Sequence, residues 1–340
     1  MESISITSSQ AGQRLDKFLR KRLPQAGIGF LYKMLRKKNI TLNGKKAEGR
    51  EILSAGDRVD FFLSKETFEK FSGNSPEREY EQAYKQLEGI EILYEDEAVL
   101  ALNKPAGILT QKAALCDLSL NEWLVGYLID QDSGIRQELS SFRPSVCNRL
   151  DRNTSGIVLC GKSLSGSQGL SALIRERTLE KYYYAICAGT VSKPLVLEGR
   201  HRKEGKRVNV ENISGVSSAF DEGSEGSYIK TICRPLCIHK GYTLLEVELV
   251  TGKTHQIRAH LAKAGHPVIG DFKYGDNEIN RKLRNHCGLR HQLLHAHHVN
   301  FPKGLEGSLK NLSGRRITAP CPRAFTEIMR LLELNPPDIP

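Results

Sequence analysis

The chain has 340 residues, a net charge of +11 and a hydrophobic fraction of 39%. That length exceeds one average domain and the apolar content suits ordinary globular cores, so two domains are expected. No stretch approaches the roughly 18 apolar residues of a membrane span, and the opening MESISITSSQ lacks the basic start and apolar centre of a secretory leader. The eight cysteines stand singly, with no CxxC pair, as in proteins that keep reduced thiols in the cytoplasm.

Charge is concentrated at one end. Between Arg14 and Arg50, twelve Lys or Arg face only Asp16 and Glu48, so this segment carries +10 of the +11. A run of charge is usually a solvated face. Concentration of nearly all the excess in one short segment is instead the footprint of a polyanion binder, for RNA, DNA or an acidic membrane surface. QRLDKFLRKRLPQ places Leu15, Phe18, Leu19 and Leu23 on one helical face, and IGFLYKMLRKK does the same with Ile28, Leu31, Met34 and Leu35. ITLNGKKAEGREILSAGDRVDFFL then alternates around an Asn-Gly turn, which favours short strands. Two basic helices and a small sheet, with RLDKFL, RKKNITLNGK and GDRVDF, resemble the αL RNA-binding motif first described in a small-subunit ribosomal protein. The resemblance covers residues 12–63 and implies RNA contacts by Arg14, Lys17, Lys33, Arg36, Lys37, Lys38, Lys45 and Lys46.

Residues 64–88 are polar and acidic and are expected to be a linker, partly helical. A second domain follows over residues 89–332. IEILYEDEAVLALNKPAGI reads as two strands and a Pro-Gly loop, LSLNEWLVGYLID as an amphipathic helix, and GIVLCGK, YYYAICAG and YTLLEVELV as core strands. HQIRAHLAKAG reads as a helix closed by a glycine, and residues 214–227 as a flexible surface loop. Strands and helices mix without regular βαβ alternation, so the fold class is α+β.

Two motifs are set aside. GIVLCGKS, Gly156 to Ser163, satisfies the P-loop pattern by letter. Its intervening Ile157, Val158, Leu159 and Cys160 want burial in a strand, whereas a phosphate cradle wants small turn-forming residues. Cys233, Cys237, His239 and the histidines of RNHCGLRHQLLHAHH lack the two well-spaced ligand pairs of a tetrahedral zinc site. His295, His297 and His298 are therefore core or RNA-facing, and no metal is expected.

NRLDRNTSG, residues 148–156, sets Asp151 between Arg149 and Arg152. Alone, this is a loop entering a strand with its carboxylate in an ion pair. NRLDRNTSGIVLCGKS nevertheless resembles the aspartate motif of the RluA-type pseudouridine synthases, H-R-L-D-x-x-T-S-G before an apolar strand. VLALNKPAGIL, LEKYYYAICAG and LVTGKTHQIRAHLAKAGHPVIGDFKYG resemble three further blocks of that family, in order, and LLHAHHVNF its late L-H-A segment. The resemblance spans residues 90–330, and the basic domain in front suits the members acting on large-subunit ribosomal RNA.

The resemblance implies a mixed, largely antiparallel central sheet with flanking helices, and an isomerase that needs no cofactor. Uridine's glycosidic bond breaks, the uracil turns, and it rejoins through carbon 5. The target base must leave its stack. Asp151 is then the catalytic carboxylate, Arg258 the guanidinium that favours its charged form in an enclosed pocket, and Tyr183 the ring that stacks on the uracil. Ile257 gives an apolar wall, Arg149 binds RNA or holds the flipped base out, and Lys253 and His255 join the RNA contacts. The family's histidine ahead of R-L-D is Asn148 here, which cannot titrate. Expected partners are 23S ribosomal RNA, with no membrane and no nucleotide cofactor, for a monomer. A non-enzymatic RNA-binding protein would explain the basic domain but not the trio Asp151, Tyr183 and Arg258. A uridine N-glycosidase would share the bond cleavage but ordinarily needs a second carboxylate.

Overall fold

Alternating apolar positions near the N-terminus close a small antiparallel sheet in the computed structural model, which describes residues 2–335 apart from 8–9, 73–76, 115, 133, 140–141, 205–206 and 213–225. Its elements are β1 (Glu2–Ser5), α1 (Leu15–Arg22), α2 (Ile28–Arg36), β2 (Ile40–Leu42), β3 (Lys45–Lys46) and β4 (Arg58–Phe61), with strand order β1-β4-β2-β3. Asn43 and Gly44 both take positive φ (51° and 72°), as a tight hairpin turn requires. Leu15, Phe18 and Leu19 of α1 and Leu31, Met34 and Leu35 of α2 pack with Val59 and Phe61. Ile28, expected on that buried face, is 53% exposed instead, because it opens α2 beyond the interface.

The acidic stretch that follows contains α3 (Lys65–Ser72) and α4 (Glu77–Gln86). Phe68 and Phe71 of α3 close the small core, while Ala83 of α4 joins the core of the larger unit and Tyr80 packs on its Val125 and Ile129. Polar composition hides these contacts, but the three- and four-residue spacing of the apolar positions carries them.

The larger unit comprises β5 (Glu91–Glu95), β6 (Val99–Lys104), α5 (Leu120–Gln131), α6 (Ile135–Glu138), β7 (Ser145–Val146), β8 (Ser155–Gly161), α7 (Leu164–Glu176), β9 (Glu180–Ala188), β10 (Leu195–Glu204) and β11 (Arg207–Asn212). It continues through β12 (Ser227–His239), β13 (Tyr242–Leu249), α8 (Gln256–Lys263), α9 (Asn277–Cys287), β14 (Leu294–Asn300), β15 (Arg316–Thr318) and α10 (Arg323–Leu331). The main path of the sheet runs β11-β10-β12-β13-β9-β14-β8-β6-β5, and along it only β14 and β8 pair in parallel. The α+β class and largely antiparallel sheet hold. Most of the loop expected at 214–227 lies outside the described residues.

Strand alternation divides the side chains between two faces. On one, Leu100, Leu102, Val158 and Tyr183 pack with Leu120 and Leu124 of α5 and Ile257 and Leu261 of α8. On the other, Val99, Ala101, Ile157 and Leu159 meet Leu170 of α7, and Tyr184 and Ile186 meet Phe325 and Ile328 of α10. Every residue of β8 is buried, so the P-loop letters within it form a core strand. Gly156 adopts φ +110°, and a Cβ there would sit 2.2 Å from the Ala296 carbonyl oxygen, so only glycine lets β8 and β14 approach.

Candidate active site

The loop from β7 into β8 carries Asp151, and hydrogen bonds hold it along its length. Leu150 donates its N–H to Thr110 Oγ1 (3.1 Å), which donates back to the Leu150 carbonyl (2.8 Å). Gly107 N–H donates to the Arg152 carbonyl at 2.8 Å, and Thr154 N–H to that of Asp151 at 3.1 Å. Asn148 spends its amide on β8, donating to the Ile157 carbonyl (3.2 Å) and accepting from Leu159 N–H (2.7 Å). That position braces the strand in this chain.

Lys104 lies beneath the loop, fully buried. Its ammonium donates to the carbonyls of Pro105 (2.8 Å), Ile108 (2.9 Å) and Arg152 (3.1 Å). Burial pushes its pKa down to about 7, against the raising influence of Asp151. Three N–H donors matched to three carbonyls satisfy the charged form.

The opposite wall is the start of α8. His255 takes the left-handed conformation (φ 56°) at its N-cap. Gln256 locks the preceding turn, accepting from Thr251 Oγ1 (2.9 Å) and Lys253 N–H (3.1 Å) and donating to the Lys230 carbonyl (3.0 Å) and Thr231 Oγ1 (2.9 Å). Arg258 follows in the first turn, buried, and donates from Nη1 to Asp151 Oδ2 at 2.7 Å. Its other edge forks onto Asp271, Nε to Oδ2 at 2.6 Å and Nη2 to Oδ1 at 2.9 Å. Asp271 is wholly buried and also accepts the N–H groups of Lys273 (2.9 Å) and Tyr274 (3.1 Å). Burial opposes the charge of Arg258, but the two carboxylates outweigh it and hold the guanidinium above its ordinary pKa. Burial likewise opposes Asp271, yet Arg258 and the two N–H groups hold its carboxyl below the usual range.

The residues singled out from the sequence fall into two groups. Arg149, Asp151, Tyr183, Lys253, Ile257 and Arg258 line one cleft, with His255 among them. Tyr183 and Ile257 are buried, whereas Arg149 and Lys253 are exposed at the mouth. Burial, and next the charge of Asp151, push the Tyr183 phenol up, so it stays protonated. His255 Nε2 stands 3.9 Å from Asp151 Oδ1, and its Nδ1 meets the Tyr274 hydroxyl at 3.0 Å. Burial lowers the pKa of His255. The other cations lie on the small N-terminal sheet and helices, where Lys17, Lys33, Arg36, Lys37, Lys38, Lys45 and Lys46 are exposed. Arg14 differs, because Asp16 holds its guanidinium through two bonds of 3.1 and 2.7 Å.

His295, His297 and His298 sit within the sheet. His295 bonds Ser155 Oγ (2.9 Å) and the Ala319 carbonyl (3.1 Å), while His297 and His298 stack on Tyr184 and Tyr182. Burial pushes each down to about 4, which makes them neutral at neutral pH. Asp271, Tyr274 and Lys104 were not singled out from the sequence. Their signals are faint: an acid in GDFKYG that reads as a turn, and a lysine closing an apolar strand before proline.

Residues 98–263 match the RNA pseudouridylate synthase family. A ribosomal large subunit pseudouridine synthase C of Salmonella typhimurium is 30% identical to this chain, covering 97% of it and 96% of that protein. The protein of the same name from Escherichia coli K12 is 31% identical over 88% of each chain. Among solved structures, human RNA pseudouridylate synthase domain containing 4 shares the fold, with a TM-score of 0.56 at 18% identity over 77% of this chain and 99% of that one.

Proposed function

The chain belongs to the RNA pseudouridine synthases, an isomerase family, and from that premise we propose that it converts uridines of large-subunit ribosomal RNA with Asp151 as nucleophile. One observation carries the assignment of Asp151. Its carboxylate stands in a cleft beside the buried ring of Tyr183, fixed at 2.7 Å by an Arg258 whose remaining hydrogen-bonding edge is already held by Asp271. The names and coverage of the relatives support the ribosomal target.

The residues then divide the work. A flipped uridine enters between Tyr183 and Ile257, which exclude water from the reacting carbons. Asp151 attacks as the C1′–N1 bond breaks. The freed uracil turns on the Tyr183 ring, carbon 5 bonds to C1′ as the Asp151–C1′ ester bond breaks and the carboxylate is released, and the proton lost from carbon 5 is matched by one gained at N1. Arg258 orients the carboxylate throughout, and Asp271 is a positioning residue for Arg258. Arg149, Lys253 and His255 contact the RNA at the mouth. The cations of the N-terminal unit hold the backbone at a distance from the chemistry, where phosphate contacts contribute affinity without reading sequence.

A uridine N-glycosidase would need a second carboxylate as acid. Asp271 is a second carboxylate, but four N–H donors occupy it and it has no exposed surface, so it offers no proton to a leaving base. The test is Asp151→Asn on an unmodified ribosomal RNA transcript. Product formation is expected to vanish while RNA affinity is retained, since binding rests on many cations. Turnover above a few per cent of wild type, or release of free uracil by the wild type, would refute the assignment.

A further inference from the structure

The turn that carries Asp271 also holds a phenyl ring out to solvent. Phe272 is 50% exposed, although the turn around it is tightly tied. Gly275 N–H donates to the Asp271 carbonyl at 2.8 Å. The Asn280 side chain, buried on α9, accepts from Gly270 N–H (2.7 Å) and donates to the same Asp271 carbonyl (3.0 Å). Asp271 itself is fixed by Arg258. Phe272 is thus displayed from a rigid turn, one residue from the carboxylate network of the cleft. A single exposed apolar residue ordinarily needs no explanation. This one has a cationic companion: the Arg284 guanidinium carbon lies 5.9 Å from the ring centroid. Arg281 and Arg284 are both exposed and, three residues apart, share a face of α9, while Asn280 and Leu283 face inward. An aromatic ring with guanidinium groups beside it is the combination by which proteins grip single-stranded nucleic acid, the ring stacking on a base and the cations meeting phosphates.

We propose that Phe272 and Arg284 form a nucleotide subsite beside the turn that carries Asp271, where Phe272 stacks on a base of the RNA near the target uridine and Arg284 meets the adjoining phosphate. The subsite holds a nearby nucleotide while the target leaves its stack, and it tolerates any base because every base has a π-face. This inference rests on the RNA-modifying reading above.

The experiment uses the full chain and an unmodified 23S ribosomal RNA transcript, with affinity and single-turnover conversion measured side by side. Phe272→Ala is expected to weaken affinity about tenfold, while the rate at saturating protein stays within about twofold. Phe272→Trp should restore affinity and Phe272→Leu should not. Arg284→Ala should reduce the salt dependence of binding by about 0.7–0.9 in log–log slope, and Phe272→Ala should leave that slope unchanged. Irradiating a 5-iodouridine-substituted transcript should attach RNA to the peptide containing Phe272. Wild-type affinity in Phe272→Ala, or rescue by Leu as complete as by Trp, would overturn the subsite, the latter pointing to an apolar partner. A wild-type protein that neither binds nor converts the transcript would remove the subsite together with the RNA reading. Conversion by wild type with no effect of Phe272 substitution would remove the subsite alone.

Discussion

Asp271→Asn tests how the Arg258 fork is held. In the native site the Asp271 carboxylate accepts two bonds from Arg258, at 2.6 and 2.9 Å, and two from backbone N–H groups, at 2.9 and 3.1 Å. An amide keeps one oxygen but turns an NH2 toward donors, so it loses at least one charge-assisted bond of about 1.5–3 kcal/mol. It also removes the charge that balances a buried guanidinium, and breaking a buried ion pair by deleting one partner typically costs about 3–5 kcal/mol. The two figures describe the same interaction and do not add. A loss of about 3 kcal/mol lowers Tm by roughly 6–12 °C in a unit of this size. Freed on that edge, Arg258 swings toward Asp151, and misplacement of about 1 Å is worth about 100-fold in rate, or about 2.7 kcal/mol of barrier. The assay is single-turnover conversion at saturating protein, with thermal unfolding followed in parallel below the variant's Tm. A folded Asp271→Asn protein converting within threefold of wild type would show that Arg258 needs no second carboxylate.

Three further outcomes are expected. Deleting residues 1–72, rather than cutting inside α4 whose Tyr80 and Ala83 are buried, should leave a folded catalytic unit. Affinity for the transcript should fall and its salt dependence become shallower by about 0.7–0.9 per lost phosphate contact; an unchanged slope would mean that the basic segment does not touch RNA. Lys104, held at about 7 in the fold against 10.5 for a free lysine, binds fewer protons folded than unfolded between those values. Its buried charge therefore destabilises most below pH 7, and stability recovers as pH rises toward 10.5. Wild type should gain on Lys104→Met by about 1 kcal/mol per pH unit between pH 7.5 and 9 in urea unfolding, and parallel curves would refute the buried-ammonium account. EDTA and added zinc should leave conversion unchanged, because among the described residues no cluster of three or more His, Cys, Asp or Glu is placed to hold a metal. Stoichiometric zinc by elemental analysis, with activity lost on chelation, would contradict this.

Asp151, Arg258 and Tyr183 were singled out by the family resemblance of the blocks that hold them, since alone they read as an ion pair, a solvated helix arginine and a core tyrosine; the fold brings the three to one cleft. The burial of Ile157 to Cys160 was legible from the residues themselves, since four apolar residues in a row suit a strand and not a phosphate cradle. Asp271 was not. Its meaning depends on a closure between the turn and α8 across 13 residues, and nothing in GDFKYG distinguishes a buried acceptor from an ordinary turn acid. Lys104 was illegible for a different reason. Lysine is ordinarily a surface residue, and although two of its acceptors, the Pro105 and Ile108 carbonyls, lie in the loop directly after it, the third, that of Arg152, is 48 residues away and is brought to it only by the fold. The acidic stretch around α3 and α4 read as a linker because its composition outweighed the spacing of Phe68, Phe71, Tyr80 and Ala83.

The parallel pairing of β8 with β14 also sets an order of events during synthesis. β8 meets its central partner only when Ala296 and its neighbours exist, 140 residues after Ser155 by the His295 contact. At about 5–20 residues per second, that is roughly 7–28 s of translation. Throughout that interval the apolar strand SGIVLCG has one edge without β14, and the nascent chain carries Asp151 on a loop whose following strand lacks that partner. Long-range closures of this kind are slow and expose the chain to misassembly. A chain ended before residue 294 would therefore carry Asp151 and Arg258 without the β14 strand that pairs with both β8 and β9.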